Sequence, residues 1–269
     1  MSSQEDKLNE QTKRVIEYYR RAAEKYDEEH DTPYWKFVYD PITWRYIEPY
    51  LPPQGLVLDA GGGTGKWTIP IAKRGLRVVL YDISREMLEI AQRKIRAEGL
   101  EDLVEIKQGD ICKIDYPDET FDFVLAEGDP ISYCNDPLKA VSEIYRILKH
   151  GCYAVAGVDS LYAVIRRILY YEQDVDKALR VLEEGKFYAK KWGFYCWAFT
   201  PKSLKSLFTR CGFEVVKIVG KPVIFLYALE PLLQDEEKAR KILELDLRVC
   251  EDESIVGFGG HLHIVARKI

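Results

Sequence analysis

A glycine-rich loop directly after an apolar segment is the part of this sequence that most clearly indicates chemistry. Residues 56–60 are apolar except for Asp59, and four glycines follow within residues 61–65. Glycine adopts positive φ and has no Cβ, so such a loop lets a ligand approach the backbone at the carboxyl end of a strand. The loop therefore predicts a nucleotide-type site between a strand and the following helix.

The residues around the loop indicate which kind of ligand it binds. A dinucleotide fingerprint requires glycine at the sixth position counted from Gly61, and this chain has Lys66 there. Asp59 stands just before the loop, where its carboxylate would repel a pyrophosphate and attract a cationic group. A nicotinamide oxidoreductase is therefore the weaker interpretation, and a cationic ligand without phosphate is favoured.

Composition limits the class of protein. The 269 residues are 47% hydrophobic and 31% charged, which is typical of one α/β domain with appended elements. The net charge of −5 gives no general attraction to nucleic acid or to anionic membranes, so neither is expected as a partner.

Residues 1–6 are polar and no apolar stretch approaches the roughly 20 residues of a membrane span, so we expect a cytoplasmic protein. The six cysteines are widely spaced without a C-x-x-C pair, and no metal site is predicted.

Strand-type and helix-type segments alternate from residue 51 to residue 158, which predicts a doubly wound, mostly parallel sheet with helices on both faces. The predicted strands span residues 56–60, 77–81, 103–108, 121–126 and 152–158. The predicted helices span residues 11–29, 84–97 and 137–149, with one more beginning near residue 66. After a forty-residue interruption, a helix at 201–210 and strands at 213–219 and 261–266 complete the predicted sheet.

Several motifs in order resemble those of the class I S-adenosylmethionine-dependent methyltransferases. The pattern D-x-G-x-G-x-G from Asp59 to Gly65 resembles motif I of that family. Asp82 follows the second strand, Gly109-Asp110-Ile111 follows the third, and residues 121–128 resemble motif IV. The resemblance implies a seven-stranded α/β sheet with an antiparallel last strand, S-adenosylmethionine as cofactor and methyl transfer as activity.

The resemblance also implies a division of the chain and a set of cofactor contacts. It divides the chain into an N-terminal helical cap (1–50), a cofactor-binding core (51–158), a lid or substrate insertion (159–199) and the rest of the sheet (200–269) with a helical insertion (220–260). Asp82 is expected to accept the ribose hydroxyls, and Asp110 to accept the adenine amine beside Ile111. The expected cofactor-binding residues are Tyr19, Tyr26, Asp59, Ala60, Gly61, Gly63, Asp82, Ile83, Met87, Gly109, Asp110, Ile111, Glu127, Gly128 and Tyr133.

The acceptor side is less determined by the sequence. A small-molecule acceptor is predicted, and aromatic residues of the two covering segments are candidate contacts for it: Tyr34, Trp35, Trp192, Tyr195 and Trp197. Asp129, Glu127 and His261 are candidates for a catalytic base, and the choice among them stays open. A protein or nucleic-acid methyltransferase and a non-catalytic S-adenosylmethionine-binding protein also remain open, as do the acceptor atom and a homodimeric state.

Overall fold

The computed structural model describes residues 9–269 and contains one seven-stranded sheet and a separate two-stranded hairpin. The strands are β1 (Leu56–Ala60), β2 (Arg77–Asp82), β3 (Val104–Gln108), β4 (Phe121–Ala126), β5 (Leu148–Asp159), β6 (Lys186–Ala189), β7 (Phe194–Trp197), β8 (Phe213–Lys221) and β9 (His261–Lys268). The large sheet has the order β3-β2-β1-β4-β5-β9-β8. Its first five strands are parallel and β9 runs antiparallel to both neighbours, which confirms the predicted fold class.

Helices cover both faces of this sheet. The α-helices are α1 (Glu10–Glu29), α2 (Asp40–Ile47), α3 (Thr68–Ala72), α4 (Arg85–Ala97), α5 (Pro130–Tyr133), α6 (Pro137–Ile147), α7 (Leu161–Arg167), α8 (Val175–Glu184), α9 (Pro201–Arg210) and α10 (Glu236–Val249). Shorter turns of π or 3-10 helix span Trp35–Tyr39, Glu48–Tyr50, Ile168–Glu172, Tyr227–Gln234 and Val256–Phe258.

Alternation along the strands explains the two packed layers. Neighbouring residues of β1, Val57 and Leu58, are fully buried in different hydrophobic clusters, as expected for side chains that point to opposite faces of a sheet. The cluster with Leu58 includes the apolar stripes of α6 and α9, and the cluster with Val57 includes those of α3 and α4. Such strands are buried on both faces, which is typical of a parallel sheet between two helical layers.

Local capping explains where the helices begin. The Ser84 side chain accepts a hydrogen bond from the backbone N–H of Met87 at the start of α4, and Asp136 accepts one from Lys139 before Pro137 opens α6. Such bonds satisfy backbone donors that the first turn leaves unpaired. Both helix starts match the sequence prediction.

Several predicted boundaries differ from the structure, and two of these differences change how elements join or end. The helix predicted to reach residue 149 ends at Ile147, because Leu148 is fully buried and already pairs with Phe121 as the first residue of β5. The strand predicted to end at residue 219 continues to Lys221, which pairs with His261 of β9. The helical insertion therefore begins after residue 221, and a lysine joins the end of the sheet.

Segments outside the sheet pack over the edge where β1 to β4 end. One hydrophobic cluster joins α1, α5, α7, α8 and the β6–β7 hairpin and includes Val15 and Tyr133. Residues 34–46 form another cluster with α10. Within residues 9–269, no helix is long and apolar enough to cross a membrane, and no group of three or more metal-ligating side chains is close enough to hold a metal ion. Residues 1–6, whose polar character led to the cytoplasmic expectation, lie outside the described residues.

Candidate functional site

A cavity of about 310 Å³ lies at the carboxyl edge of the sheet, between the strand ends and the covering segments. Its walls come from the loops after β1 to β4, from α1, from the turn Trp35–Tyr39 and from the first residue of β9. The wall residues that the sequence analysis named are Tyr19, Tyr26, Trp35, Gly61, Gly63, Asp82, Ile83, Met87, Gly109, Asp110, Ile111, Glu127, Gly128, Asp129, Tyr133, Trp192 and His261.

The glycine loop after β1 is shaped for close approach. Gly61 has a φ of +80°, and its N–H donates to the carbonyl of Tyr81 at 2.6 Å. A Cβ at this position would lie 2.7 Å from Pro130, at the start of α5. A side chain here would therefore combine backbone strain with a collision, which explains why the sequence has glycine.

Asp82 links the glycine loop to the end of β2. Its Oδ2 accepts the N–H of Gly63 at 3.0 Å and its Oδ1 accepts the N–H of Ser84 at 2.8 Å. A carboxylate has lone pairs beyond these two bonds, so Asp82 can also accept hydroxyl groups of a ligand in the cavity. Burial raises the pKa of Asp82 to about 6, although these backbone donors lower it.

The state of Asp82 predicts a pH dependence of cofactor binding. In the free protein Asp82 gains a proton as the pH falls through about 6, and a protonated carboxyl is a poorer acceptor for two hydroxyl groups. We expect the affinity for S-adenosylhomocysteine to fall by up to about tenfold per pH unit below that value. Calorimetry between pH 5 and 8 measures this, and Asp82→Asn should flatten the profile; an unchanged profile in the variant would contradict the assignment.

The loop after β3 provides a second acid. Asp110 Oδ1 accepts the N–H of Cys112 at 2.8 Å, and this bond holds the carboxylate at the cavity wall beside Ile111. A Cβ on Gly109 would lie 1.8 Å from the hydroxyl of Tyr81, so only glycine fits where this ring crosses the loop. An acid and an apolar side chain therefore stand together at this end of the cavity.

Asp59 and Ala60, both expected to bind the cofactor, are not brought to the cavity wall. Asp59 is fully buried behind the loop and its Oδ2 accepts the hydroxyl of Thr68 at 2.6 Å. Its Oδ1 has no hydrogen-bond partner among residues 9–269. Burial raises the pKa of Asp59 to about 7, although Thr68 lowers it. Direct contact of Asp59 with a ligand remains a prediction.

Helix α1 is fixed over the cavity by polar contacts at both ends. Thr64 of the glycine loop donates to Asp27 Oδ1 at 2.6 Å, and Lys94 of α4 lies 2.7 Å from the other oxygen of Asp27. At the opposite end, the amide of Gln11 bonds to the backbone of Tyr195 in both directions. These contacts hold the faces of Tyr19 and Tyr26 against the cavity.

Aromatic rings of the insertion close the neighbouring side. The ring of Trp192 lies 5.4 Å from that of Tyr133 and 5.8 Å from that of Phe194, measured between centroids. Of the aromatic residues named as candidate acceptor contacts, Trp35 and Trp192 line the cavity. Tyr34, Tyr195 and Trp197 do not line it, and Tyr195 instead faces outward with its side chain half exposed.

The three candidate bases all reach the cavity wall, in two different settings. Glu127 is fully buried between Lys221 Nζ at 2.5 Å and His263 Nδ1 at 2.7 Å. Asp129 contacts His261, with 3.2 Å between Oδ2 and Nε2. The sequence analysis did not identify Lys221 as a site residue. Alternation along β8 places Lys221 on the same side of the strand as the buried Val219, and this spacing could have indicated that the lysine is buried.

Other cavity residues were also missed. Tyr39, His30 and Lys66 line the cavity, and Lys66 contacts Asp40 Oδ1 at 2.7 Å. The sequence analysis treated Lys66 only as the residue that breaks a dinucleotide fingerprint. Its position in the wall depends on how the segment 30–40 folds back onto the glycine loop, which residue spacing does not indicate.

Comparison with known proteins agrees with this geometry. The pattern of a family described as "Methyltransferase domain" matches residues 57–151. Phosphatidylethanolamine N-methyltransferase of Cereibacter sphaeroides is 39% identical over 97 residues, which cover 36% of this chain and 47% of that protein. The chain thus spans about half the length of that relative. The tRNA 5-carboxymethoxyuridine methyltransferase of Escherichia coli K12 is 26% identical over 84% of this chain and 87% of its own length.

Solved structures share the fold. A SAM-dependent methyltransferase from Thermotoga maritima superposes with a TM-score of 0.62 at 20% identity, covering 95% of this chain and all of the other. One from Methanosarcina mazei gives a TM-score of 0.60 at 24% identity, covering 83% and 97%. The site fits S-adenosylmethionine, because two acids and a close-approach glycine loop line the cavity at the strand ends. Residues 57–151 thus match a methyltransferase domain, and the chain has the class I, Rossmann-like fold of S-adenosylmethionine-dependent methyltransferases.

Proposed function

We propose that this enzyme transfers the methyl group of S-adenosylmethionine to a small molecule bound in the covered cavity. The observation that carries this proposal is the cover itself: α1 and the β6–β7 hairpin are bonded to each other through Gln11 and close over the strand ends. A site covered in this way reduces the access of water and of bulky acceptors and favours in-line transfer to a compact one.

We assign the cavity residues to the two halves of the reaction. Asp82 accepts the ribose hydroxyls, Asp110 and Ile111 hold the adenine, and the loop with Gly61 and Gly63 faces the methionine part. Glu127, Gly128 and Asp129 stand beside the transferable methyl. Bound S-adenosylmethionine supplies a methyl group on a sulfonium, which is a good leaving group, so the protein's task is to align and enclose the two reactants.

The acceptor side is formed by aromatic residues that this fold adds to the sheet. Tyr26 and Trp35 line the cavity from the N-terminal segment, and Tyr133 and Trp192 line it from α5 and the insertion. Such rings supply apolar contact area with a polar tip, which suits a small organic molecule. The insertion that covers the site has seven Lys and Arg against six Asp and Glu, so it offers no basic stripe for a nucleic acid.

A transfer assay tests the proposal against a tRNA acceptor. The protein is incubated with methyl-labelled S-adenosylmethionine and, separately, with the dialysable fraction of a cell extract and with total tRNA. We expect label in the dialysable fraction alone, and a much weaker signal from Asp82→Ala at limiting cofactor. Label in tRNA alone would contradict the proposal, and absence of label despite tight S-adenosylhomocysteine binding would indicate a non-catalytic binding protein.

A further inference from the structure

Two carboxylate and imidazole pairs lie side by side at the edge of the sheet. Glu127 and Asp129 are two residues apart after β4, and His261 and His263 are two residues apart at the start of β9. Alternation along a strand gives both histidines the same face. The pairs formed are Glu127 with His263 and Asp129 with His261. They differ in what else surrounds them.

A lysine contacts the carboxylate of the first pair. Lys221, Glu127 and His263, here called the buried triad, have almost no exposed side-chain area. Each oxygen of Glu127 is already in contact with a basic group, and Lys221 also donates to the hydroxyl of Thr43 at 3.1 Å. The carboxylate of Glu127 therefore has its charge balanced and is poorly placed to receive a further proton.

The second pair is open to the cavity. Asp129 and His261, here called the open pair, both line the cavity, and the His261 side chain is 22% exposed. Asp129 Oδ1 and His261 Nδ1 are buried and have no hydrogen-bond partner among the described residues, and the same holds for His263 Nε2 in the buried triad. The two histidines differ in that His261 lines the cavity and His263 does not. Asp129 also has a φ of +65°, a left-handed conformation that is uncommon for a residue other than glycine and is often found at functional sites.

The groups that face His261 favour a proton on its ring. Its strand neighbours in the sheet are Asp159 of β5 and Lys221 of β8, and the ring of Tyr39 lies 5.4 Å away. Burial opposes a charge on His261 and Lys221 also opposes it, but Asp129 and Asp159 outweigh both and raise the pKa of His261. Because Glu127 already balances Lys221, the remaining carboxylates dominate this part of the cavity.

We propose that the open pair takes up the proton that the acceptor loses on methylation, and that the acceptor therefore has a proton on the atom that becomes methylated, as an O–H, N–H or S–H compound does. This inference rests on the proposed function. In the step, the acceptor heteroatom forms a bond to the methyl carbon while the carbon–sulfur bond breaks and sulfur keeps the electron pair. The proton of the heteroatom passes to the imidazole of His261, and Asp129 stabilises the imidazolium. An aprotic thioether or tertiary amine would need no such pair.

Histidine titration by NMR tests the pair directly. The chain has four histidines, so the imidazole signal of His261 in the S-adenosylhomocysteine complex is assigned by its loss in His261→Gln. We expect His261 to titrate above pH 6.5, and Asp129→Asn to lower that midpoint. The exposed His150 gives the matched control, His150→Gln, which should leave the midpoint unchanged. A midpoint that does not respond to Asp129→Asn overturns the proposal.

Turnover of the labelled product supplies the second test. His261→Gln and Asp129→Asn should lower kcat by about 10²- to 10⁴-fold, while S-adenosylhomocysteine affinity and the activity of His150→Gln are retained. The rate should rise with pH to a plateau, because His261 must lose its own proton before it can accept one from the acceptor. Asp129→Asn should move that rise to lower pH.

Unimpaired turnover by His261→Gln, or a product that is a sulfonium or quaternary ammonium, overturns this inference alone. Label found only in a macromolecule overturns the proposed function alone, and the same variants are then compared on that macromolecule. No label in any fraction overturns both.

Discussion

Replacing Lys221 by methionine should lower the free energy of unfolding by about 3–5 kcal/mol, because it leaves the carboxylate of Glu127 buried without its cationic partner. The Lys221 and Glu127 side chains are 0% and 1% exposed, and their charged atoms lie 2.5 Å apart. At such burial each charge has lost its hydration, so removal of one partner costs far more than the contact itself contributes. Urea denaturation of the full chain measures the difference.

The same strand contains a matched control. Lys217 of β8 also lies 2.5 Å from a glutamate, Glu251, but these side chains are 36% and 45% exposed. Lys217→Met should therefore cost only about 0–1 kcal/mol, since water solvates the remaining carboxylate. Equal losses for the two variants would mean that the buried triad is no more important to stability than a surface ion pair.

A double variant separates the cost of leaving the Glu127 carboxylate without a partner from the cost of losing the Lys221 side chain itself. Glu127→Gln combined with Lys221→Met removes both charges, so its loss of stability should be clearly smaller than the sum of the two single losses. In Lys221→Met alone, His263 can take up a proton beside Glu127, because burial and Lys221 together lower the pKa of His263 in the native protein. The single variant should thus lose less stability as the pH falls, whereas simple additivity of the two single losses would contradict the coupling.

The main sheet was predictable because its pattern is local. Each core strand is a short apolar run and each helix shows an apolar stripe, so bounds such as Phe121–Ala126 and Pro201–Arg210 follow from the residues themselves. The number of strands and the antiparallel last strand came from the family resemblance, and the strand order came from the structure. Errors arose where two elements join without a break, as at Ile147 and Leu148, because helix and strand patterns overlap there.

The clustering of the proposed cofactor-binding acids and glycines was also largely predictable, because these residues follow strands and therefore meet at one edge, although Asp59 and Ala60 do not reach the cavity wall. The acceptor half depends on contacts between distant parts of the chain. Lys221 and Glu127 are 94 residues apart, and the partners of His261 come from the loop after β4, from β5 and from β8. Spacing along the sequence contains no information on such pairings, so it could not show that His261 pairs with Asp129 while His263 pairs with Glu127.

Asp82→Ala should weaken S-adenosylmethionine binding by about 1.5–3 kcal/mol, the scale of hydrogen bonds to a charged group. This corresponds to roughly a 10- to 150-fold increase in Kd. The variant also loses the acceptor for the N–H of Gly63, so the glycine loop is released from the end of β2. Calorimetry at pH 8, where Asp82 is ionised, measures the loss without a contribution from protonation.

A surface acid from the same region serves as the control for that measurement. Asp115 lies after β3 with its side chain 90% exposed and contacts Lys107 at 3.3 Å, away from the cavity wall. Asp115→Ala removes the same number of carboxylates and changes the net charge equally, so it tests whether a general electrostatic effect is responsible. We expect it to leave the Kd unchanged. If Asp82→Ala also leaves the Kd unchanged, the ribose is held elsewhere, and the acid at the end of β2 serves only to shape the glycine loop.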